Sequence, residues 1–410
     1  MIEVLKVFTL DLTRGMYVSA LDRPWLESPF PLQGFRIESD ADLRTLHELC
    51  EYVYVDVEKS RLDLSVLRAK VRIDRPRTPI ASVFPARQLT VYEDHTEWQA
   101  EYPRAAEAVQ ELSSGIQDLF KRVSAGVGLD VLRVKKSVEP MIDSISRNPD
   151  ACIWLARLRQ ADEYTYQHSL GASVWAVALG RQLGLPRADL RSLAVGGLLF
   201  DVGKLRIDPE LLHSSRPLVP AERLELQRHV EYGLEIVAGG GMINADVLAM
   251  VGSHHERHDG SGYPKGLRGD AIPVFARIAA IVDCYAAITS HRSYARAVSP
   301  PQAIKLLYEW RDQHFQAELV EEFIQAIGIY PAGTLVELST GEVAVVVAEY
   351  RTRRLRPRVM LVCDVNKQPV RDSRIIDLLH ETVTSDGRPL EIVGSHEVDA
   401  FNVDLSLLSV

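Results

Sequence analysis

His168, Asp201, His229, the adjacent pair His254 and His255, and Asp283 are six imidazole or carboxylate side chains spread over a stretch with helical periodicity. Such residues on successive helices can converge in a bundle core, where nitrogen and oxygen donors suit zinc, manganese or iron rather than soft-metal chemistry. A carboxylate such as Asp201 can bridge two ions. Two ions about 3.5–4 Å apart clamp both sides of an in-line phosphoryl displacement, so phosphodiester hydrolysis needs no protein nucleophile there. A single helical histidine is ordinarily a packed or surface residue. Six donors of matching character in one region point to a site. Asp201-Val-Gly-Lys204 on its own reads as a helix end with a glycine stop, and Lys204 gains meaning only beside metals.

The densest segment is His254-His255-Glu256-Arg257-His258-Asp259-Gly260-Ser261-Gly262-Tyr263-Pro264. It resembles the HHExxDGxGYP signature of the HD-GYP family, metal-dependent phosphodiesterases of cyclic di-GMP. Tyr164-Thr-Tyr-Gln-His168-Ser169, Asp201-Val-Gly-Lys204, His229 and the run Asp283 to Ser290 fit that family in order and spacing, so the resemblance covers roughly Ala161 to Pro300. It implies that His168, Asp201 and Asp283 hold one ion and that Asp201, His229, His254 and His255 hold a second. It also implies that Asp201 and Lys204 are catalytic, with Lys204 touching the scissile phosphate, and that Arg292 grips the substrate phosphates. The implied cofactors are divalent ions, iron or manganese, one or two per chain, and the implied ligand is cyclic di-GMP. The Gly260–Pro264 loop reads as a shaped wall and a docking surface for a signalling protein, because glycine permits tight backbone but supplies no functional group. Assembly as a homodimer is left open.

In the family a histidine precedes the aspartate, whereas here the pair is Phe200-Asp201. Losing even a group that supports a ligand costs about 10–100-fold in metal affinity, so the ion of His168, Asp201 and Asp283 is expected to bind weakly. His213, His258 and His291 are candidate replacements, and water is another, since catalytic metals keep an open position. Tyr164 stands one helical turn before His168, where trinuclear members carry glutamate, so no third ion is expected. Ala295 stands near a position often basic in the family. Three readings follow: a phosphodiesterase opening cyclic di-GMP to linear pGpG and/or GMP, a catalytically impaired cyclic di-GMP receptor or scaffold, and an enzyme for another cyclic nucleotide or phosphoester.

The elements that must position these residues come from a chain of 410 residues, long enough for two to four domains at about 100–200 residues each. With 46% hydrophobic and 25% charged residues the composition is that of a globular protein. A net charge of −9 excludes a duplex DNA binder and requires local cations for any phosphate substrate. Cys50, Cys152, Cys284 and Cys363 form no CxxC pair, which suits free thiols in the cytoplasm. Apolar runs such as Leu193–Phe200 fall far short of the roughly 20 residues of a membrane span. Glu3 and Asp11 do not fit a signal peptide.

The expected architecture is multidomain. Residues 1–75 read as an α+β N-terminal domain for regulation or assembly, with strands at Val4–Leu10 and Tyr52–Val57 and a helix from Ser39 to Cys50 capped by Asp40. Arg14-Gly-Met-Tyr-Val18, Asp22-Arg-Pro-Trp-Leu26 and Gly34-Phe-Arg-Ile37 resemble a domain of undefined function that often precedes HD-GYP domains, with Trp25 packed in its own core. Pro76, Pro79 and Pro85 mark a linker over 76–96. Residues 97–330 form a central all-α HD-type helical domain, interrupted at Gly126, Pro149, Pro186, Pro217 and Pro300. Residues 331–410 form a small β-rich C-terminal module, with strands at Leu335–Leu338, Val343–Ala348 and Arg358–Asp364.

Overall fold

The computed structural model describes the chain except for residues 1–3, 10–11, 24, 26–27, 31–33, 51, 57–58, 61–78, 159–163, 291–296, 351–352, 371–372, 385, 398–399 and 403–410. It divides into two units, residues 1–78 and 79–410.

In the first unit β1 (Val4–Phe8), β2 (Tyr17–Leu21), β3 (Phe35–Arg36) and β4 (Tyr52–Asp56) pair antiparallel in the order β1-β4-β2-β3. Strand periodicity sends Val53 and Val55 inward, where they meet Val7, Val18 and Leu46 of α1 (Asp40–Leu49). The cap of α1 is Ser39 rather than Asp40. The Ser39 hydroxyl accepts from the Asp42 amide while the Asp42 carboxylate accepts from the Ser39 amide. That reciprocal box requires a residue three before the acid, and Asp40 is already inside the first turn. Trp25 lies edge-on to Phe35, 6.3 Å between centroids, against this unit's own core.

The second unit is helical from Ile80 to Ile327. Its helices are α2 (Ile80–Val83), α3 (Trp98–Ser124), α4 (Val131–Ser137), α5 (Glu139–Arg147), α6 (Pro149–Leu158), α7 (Tyr164–Gln182), α8 (Arg187–Leu199), α9 (Pro209–Leu212) and α10 (Pro220–Gln227). They continue with α11 (His229–Gly239), α12 (Ala245–Ser253), α13 (Val274–Ile288), α14 (Pro300–Glu309) and α15 (Ala317–Ile327). Three of the four prolines that interrupt the sequence pattern mark helix starts, since Pro149 opens α6, Pro300 opens α14 and Pro186 is the residue before α8, whereas Pro217 lies in the loop before α10, which Pro220 opens. Gly126, at φ 75°, follows the end of α3 in the left-handed conformation common after a helix. In α8 every residue from Ser192 to Leu199 is buried, and α13 is buried from Ile278 to Asp283, as expected of helices apolar all round. These inner helices carry the candidate ligands.

Strands β5 (Leu335–Leu338), β6 (Val343–Ala348), β7 (Arg358–Cys363), β8 (Ile375–Asp377) and β9 (Ile392–His396) form an antiparallel sheet in the order β8-β7-β6-β5-β9. All six residues of β6 are buried, and Val343, Val345 and Val347 belong to the same core as the helices. The chain is multidomain, with a small α+β region, a helical centre and a β-rich C-terminal module. Among the described residues no helix is long and apolar enough to cross a membrane.

Candidate metal centre

The helix α8 stops at Leu199, Phe200 caps it, and Asp201 enters a tight turn at Val202–Arg206. That turn brings Lys204 Nζ to 2.6 Å from Asp201 Oδ2. Gly203 makes the turn possible: a Cβ there would lie 1.9 Å from the His229 carbonyl oxygen and 2.4 Å from the Gly233 nitrogen. Only a bare α-carbon lets the turn lie against α11, and this contact delivers His229 beside Asp201. His254 caps α12 and His255 follows it, His168 lies in the first turns of α7, and Asp283 sits midway along α13.

The six candidates gather into two groups that share Asp201. One is Asp201, His229, His254 and His255, the other His168, Asp201 and Asp283, and within each group the donor atoms lie within 4.8 Å of one another. Nδ1 of His229 is 2.6 Å from the Leu226 carbonyl, and Nδ1 of His254 is 3.1 Å from the carbonyls of Met250 and Val251. A carbonyl only accepts, so both rings carry their proton on Nδ1 and turn an unshared pair inward on Nε2. Those two Nε2 atoms are 3.4 Å apart, and His255 Nε2 is 3.2 Å from that of His229. Asp201 Oδ1 stands 3.5 Å from His229 Nε2 and 3.6 Å from His254 Nε2, buried and without a hydrogen-bond partner among the described residues. Electron pairs converge there with no proton to share. Such a set fits a divalent cation, and the outward Nδ1 bonds are the kind that orient metal-bound imidazoles.

The second group also has a ligand chemistry, but its members pair with one another. His168 Nε2 lies 3.0 Å from Asp283 Oδ1 and 3.5 Å from Asp201 Oδ2, the oxygen that also takes the Lys204 ammonium. Burial pushes the His229 imidazole down to about 4 and that of His255 well below its usual range, so both rings are neutral and able to donate electron pairs. Burial alone would raise the Asp201 and Asp283 carboxyls. Burial is the largest single influence at each, but the Lys204 ammonium with the His254, His168 and His229 rings together hold Asp201 well below the usual carboxylate range, and the contacts of His168 and His255 together hold Asp283 below it, so both stay ionised.

Phe200 is fully buried, stacked on His254 at 4.8 Å between centroids and edge-on to His168 at 5.9 Å. His213 is exposed, and neither it nor His258 joins either group. His291, Arg292 and Ala295 lie outside the described residues, as does the side chain of Tyr164.

The loop after His255 is held by a residue that the spacing argument passed over. Glu256 is 1% exposed, and its two oxygens accept the backbone N–H groups of Lys265 and Leu267, each at 2.8 Å. A carboxylate directly after two histidines was the available signal. The fold of this loop stacks Tyr263 on His255 at 4.6 Å and 26°. Gly262 passes where a Cβ would come within 2.4 Å of backbone atoms of His255 and Arg257.

Residues 140–319 match the HD domain, residues 5–134 match a domain of unknown function (DUF3391), and residues 335–384 match a KOW domain associated with HD domain. The chain is 32% identical over 398 residues to a protein of Pseudomonas aeruginosa named cyclic di-GMP phosphodiesterase PA4108, a match covering 96% of this chain and 92% of that protein. It is 37% identical over 148 residues to the 3'3'-cGAMP-specific phosphodiesterase 1 of Vibrio cholerae, covering 35% of this chain and 33% of the relative. It is 35% identical over 176 residues to the cyclic di-GMP phosphodiesterase response regulator RpfG of Xanthomonas campestris pv. campestris, covering 42% and 47%.

Proposed function

This chain belongs to the HD-GYP family, and from that premise we propose that it is a metal-dependent phosphodiesterase that opens cyclic di-GMP to linear pGpG and/or GMP. The observation that carries the reading is the convergence of three imidazole nitrogens and a buried carboxylate oxygen at His229, His254, His255 and Asp201. The Pseudomonas relative, matched along nearly its whole length, supports the substrate class. Divalent iron or manganese bound here would polarise a phosphoryl oxygen and supply an activated nucleophile at neutral pH.

The residues themselves do the rest. Asp201, His229, His254 and His255 hold one ion, and His168, Asp201 and Asp283 form the site of a second. Lys204, with its side chain 22% exposed, presents its ammonium beside the shared carboxylate, where it meets the scissile phosphate. Arg292 grips the flanking phosphates. Such local cations are needed in a chain of net charge −9. The protein works in the cytoplasm, and the Gly260–Pro264 loop offers a surface to a signalling partner.

A second reading is favoured by one observation. Phe200, buried against His254 and His168, contributes no electron pair where the family pattern has a ligand. A protein holding one firm ion and one weak ion would bind cyclic di-GMP and hydrolyse it poorly, acting as a receptor or scaffold. Anaerobic purification, metal analysis and product chromatography with cyclic di-GMP and 3'3'-cGAMP separate the cases. Turnover of cyclic di-GMP that disappears in Asp201→Ala is expected. Tight binding without turnover by metal-loaded protein would leave the receptor, and preference for 3'3'-cGAMP would reassign the substrate.

A further inference from the structure

Segment 84–94 crosses the helical bundle at the far ends of the helices that carry candidate ligands. Arg87 is its centre. Its Nε donates to Asp189 and its Nη2 to Asp246, both at 2.8 Å, and its guanidinium lies 5.7 Å from the centroid of the Phe275 ring. Asp189 is in the first turn of α8, Asp246 in the first turn of α12, and Phe275 is the second residue of α13. The same segment meets the end of α7, because the Thr90 amide donates to the Gly184 carbonyl at 2.7 Å and Arg181 donates to the Glu93 carbonyl and the Asp94 carboxylate. Helices α7, α8, α12 and α13 are those that carry or lead into His168, Asp201, His254 with His255, and Asp283.

Distances along the helix axes give this arrangement its consequence. From Asp189 to Asp201, from Asp246 to His254 and from Phe275 to Asp283 the separation is about 12–18 Å at ~1.5 Å per residue. A helix is stiff along its axis, so a shift at one end arrives at the other. Acidic residues in a first turn are already favoured by the helix dipole, so Asp189 and Asp246 need no cation for the sake of their own helices. One planar fork joining two different helices therefore sets their relative axial position, which a point-charge ammonium would do poorly. Both carboxylates converge on this one guanidinium, and burial, with a smaller contribution from Asp189, already pushes the Asp246 carboxyl up.

We infer that Arg87 is a positioning residue for the metal centre: it sets the axial register of α8, α12 and α13, and thereby the spacing of Asp201, His254, His255 and Asp283. The inference rests on the metal reading of that centre.

The test uses the full chain without metal, titrated with cobalt(II) and followed by its visible ligand-field absorption, with thermal stability measured alongside. Arg87→Gln is expected to weaken cobalt binding about 10–100-fold, the range for lost support of a ligand, and to change the band shape. Arg87→Lys should recover little of this. Asp246→Asn, a milder change, should fall between Arg87→Gln and wild type. Arg147→Gln breaks the pair with Glu101 outside these helices and serves as the control for stability alone. It should leave affinity and band shape unchanged. Wild-type cobalt affinity and spectrum in Arg87→Gln and Asp246→Asn would overturn the inference while leaving the metal reading intact, and so would an equal loss in Arg147→Gln. A wild-type chain that binds no cobalt would overturn both.

Discussion

The ring of Phe200 lies 24° from parallel on the imidazole of His254, with 4.8 Å between centroids, in the midst of the candidate ligands. The neighbouring Asp201 has its carboxylate oxygens 3.5 Å from His168 Nε2, 3.5 Å from His229 Nε2 and 3.6 Å from His254 Nε2. An apolar ring thus packs among donors that need a cation, and it orients His254 without offering an electron pair. The two halves of the centre are left unequal: one has four donors turned on each other, the other has three that already pair among themselves.

Restoring a ligand should therefore change stoichiometry. Phe200→His is expected to raise metal content from about one ion per chain towards two and to speed hydrolysis of cyclic di-GMP. Metal analysis after anaerobic reconstitution and product chromatography measure both. A folded variant with no added metal and no faster turnover would show that Phe200 does not limit the site.

The inequality also predicts different consequences for two histidines. His254→Ala should abolish firm metal binding, while His168→Ala should keep about one ion, because His168 belongs only to the weaker group. Equal loss of metal in the two variants would refute the assignment of a firm and a weak site.

In the proposed function Arg292 grips substrate phosphate. Arg292→Ala should weaken cyclic di-GMP binding by about 1.5–3 kcal/mol without altering metal content, with lysine only a partial substitute. Calorimetry that finds unchanged affinity would return Arg292 to the role of a surface charge.

Glu256 should behave as the anchor of the loop that bears Tyr263. In Glu256→Gln one of the two backbone N–H groups now bound to carboxylate oxygens faces an amide nitrogen, which cannot accept. The expected loss is about 1.5–3 kcal/mol, read by denaturant unfolding, with faster amide exchange in residues 260–267. Exchange rates equal to wild type would mean that the loop is held by its other contacts.

The chemistry and the local texture were legible without coordinates. The six donors are recognisable by type, the segment from His254 to Pro264 is dense in them, and the strands at Leu335–Leu338 and Val343–Ala348 have the bounds that their apolar runs suggest. These are properties of neighbours in sequence, where helical or strand periodicity decides which side chains share a face. Even there, the helix cap moved by one residue, because Ser39 and Asp42 satisfy each other's amides and Asp40 has no such partner.

Only the tertiary structure decided which unshared pairs meet. The direction of His229 Nε2 follows from a carbonyl three residues back, but its place beside His254 depends on Gly203 letting one backbone lie against another. That Phe200 stacks on a ligand, and that His168 pairs with Asp283 across 115 residues, follows from packing whole helices together. The two ion pairs of Arg87 span 102 and 159 residues. No periodicity links positions so far apart, since their approach is set by the burial of many intervening apolar faces rather than by any local pattern.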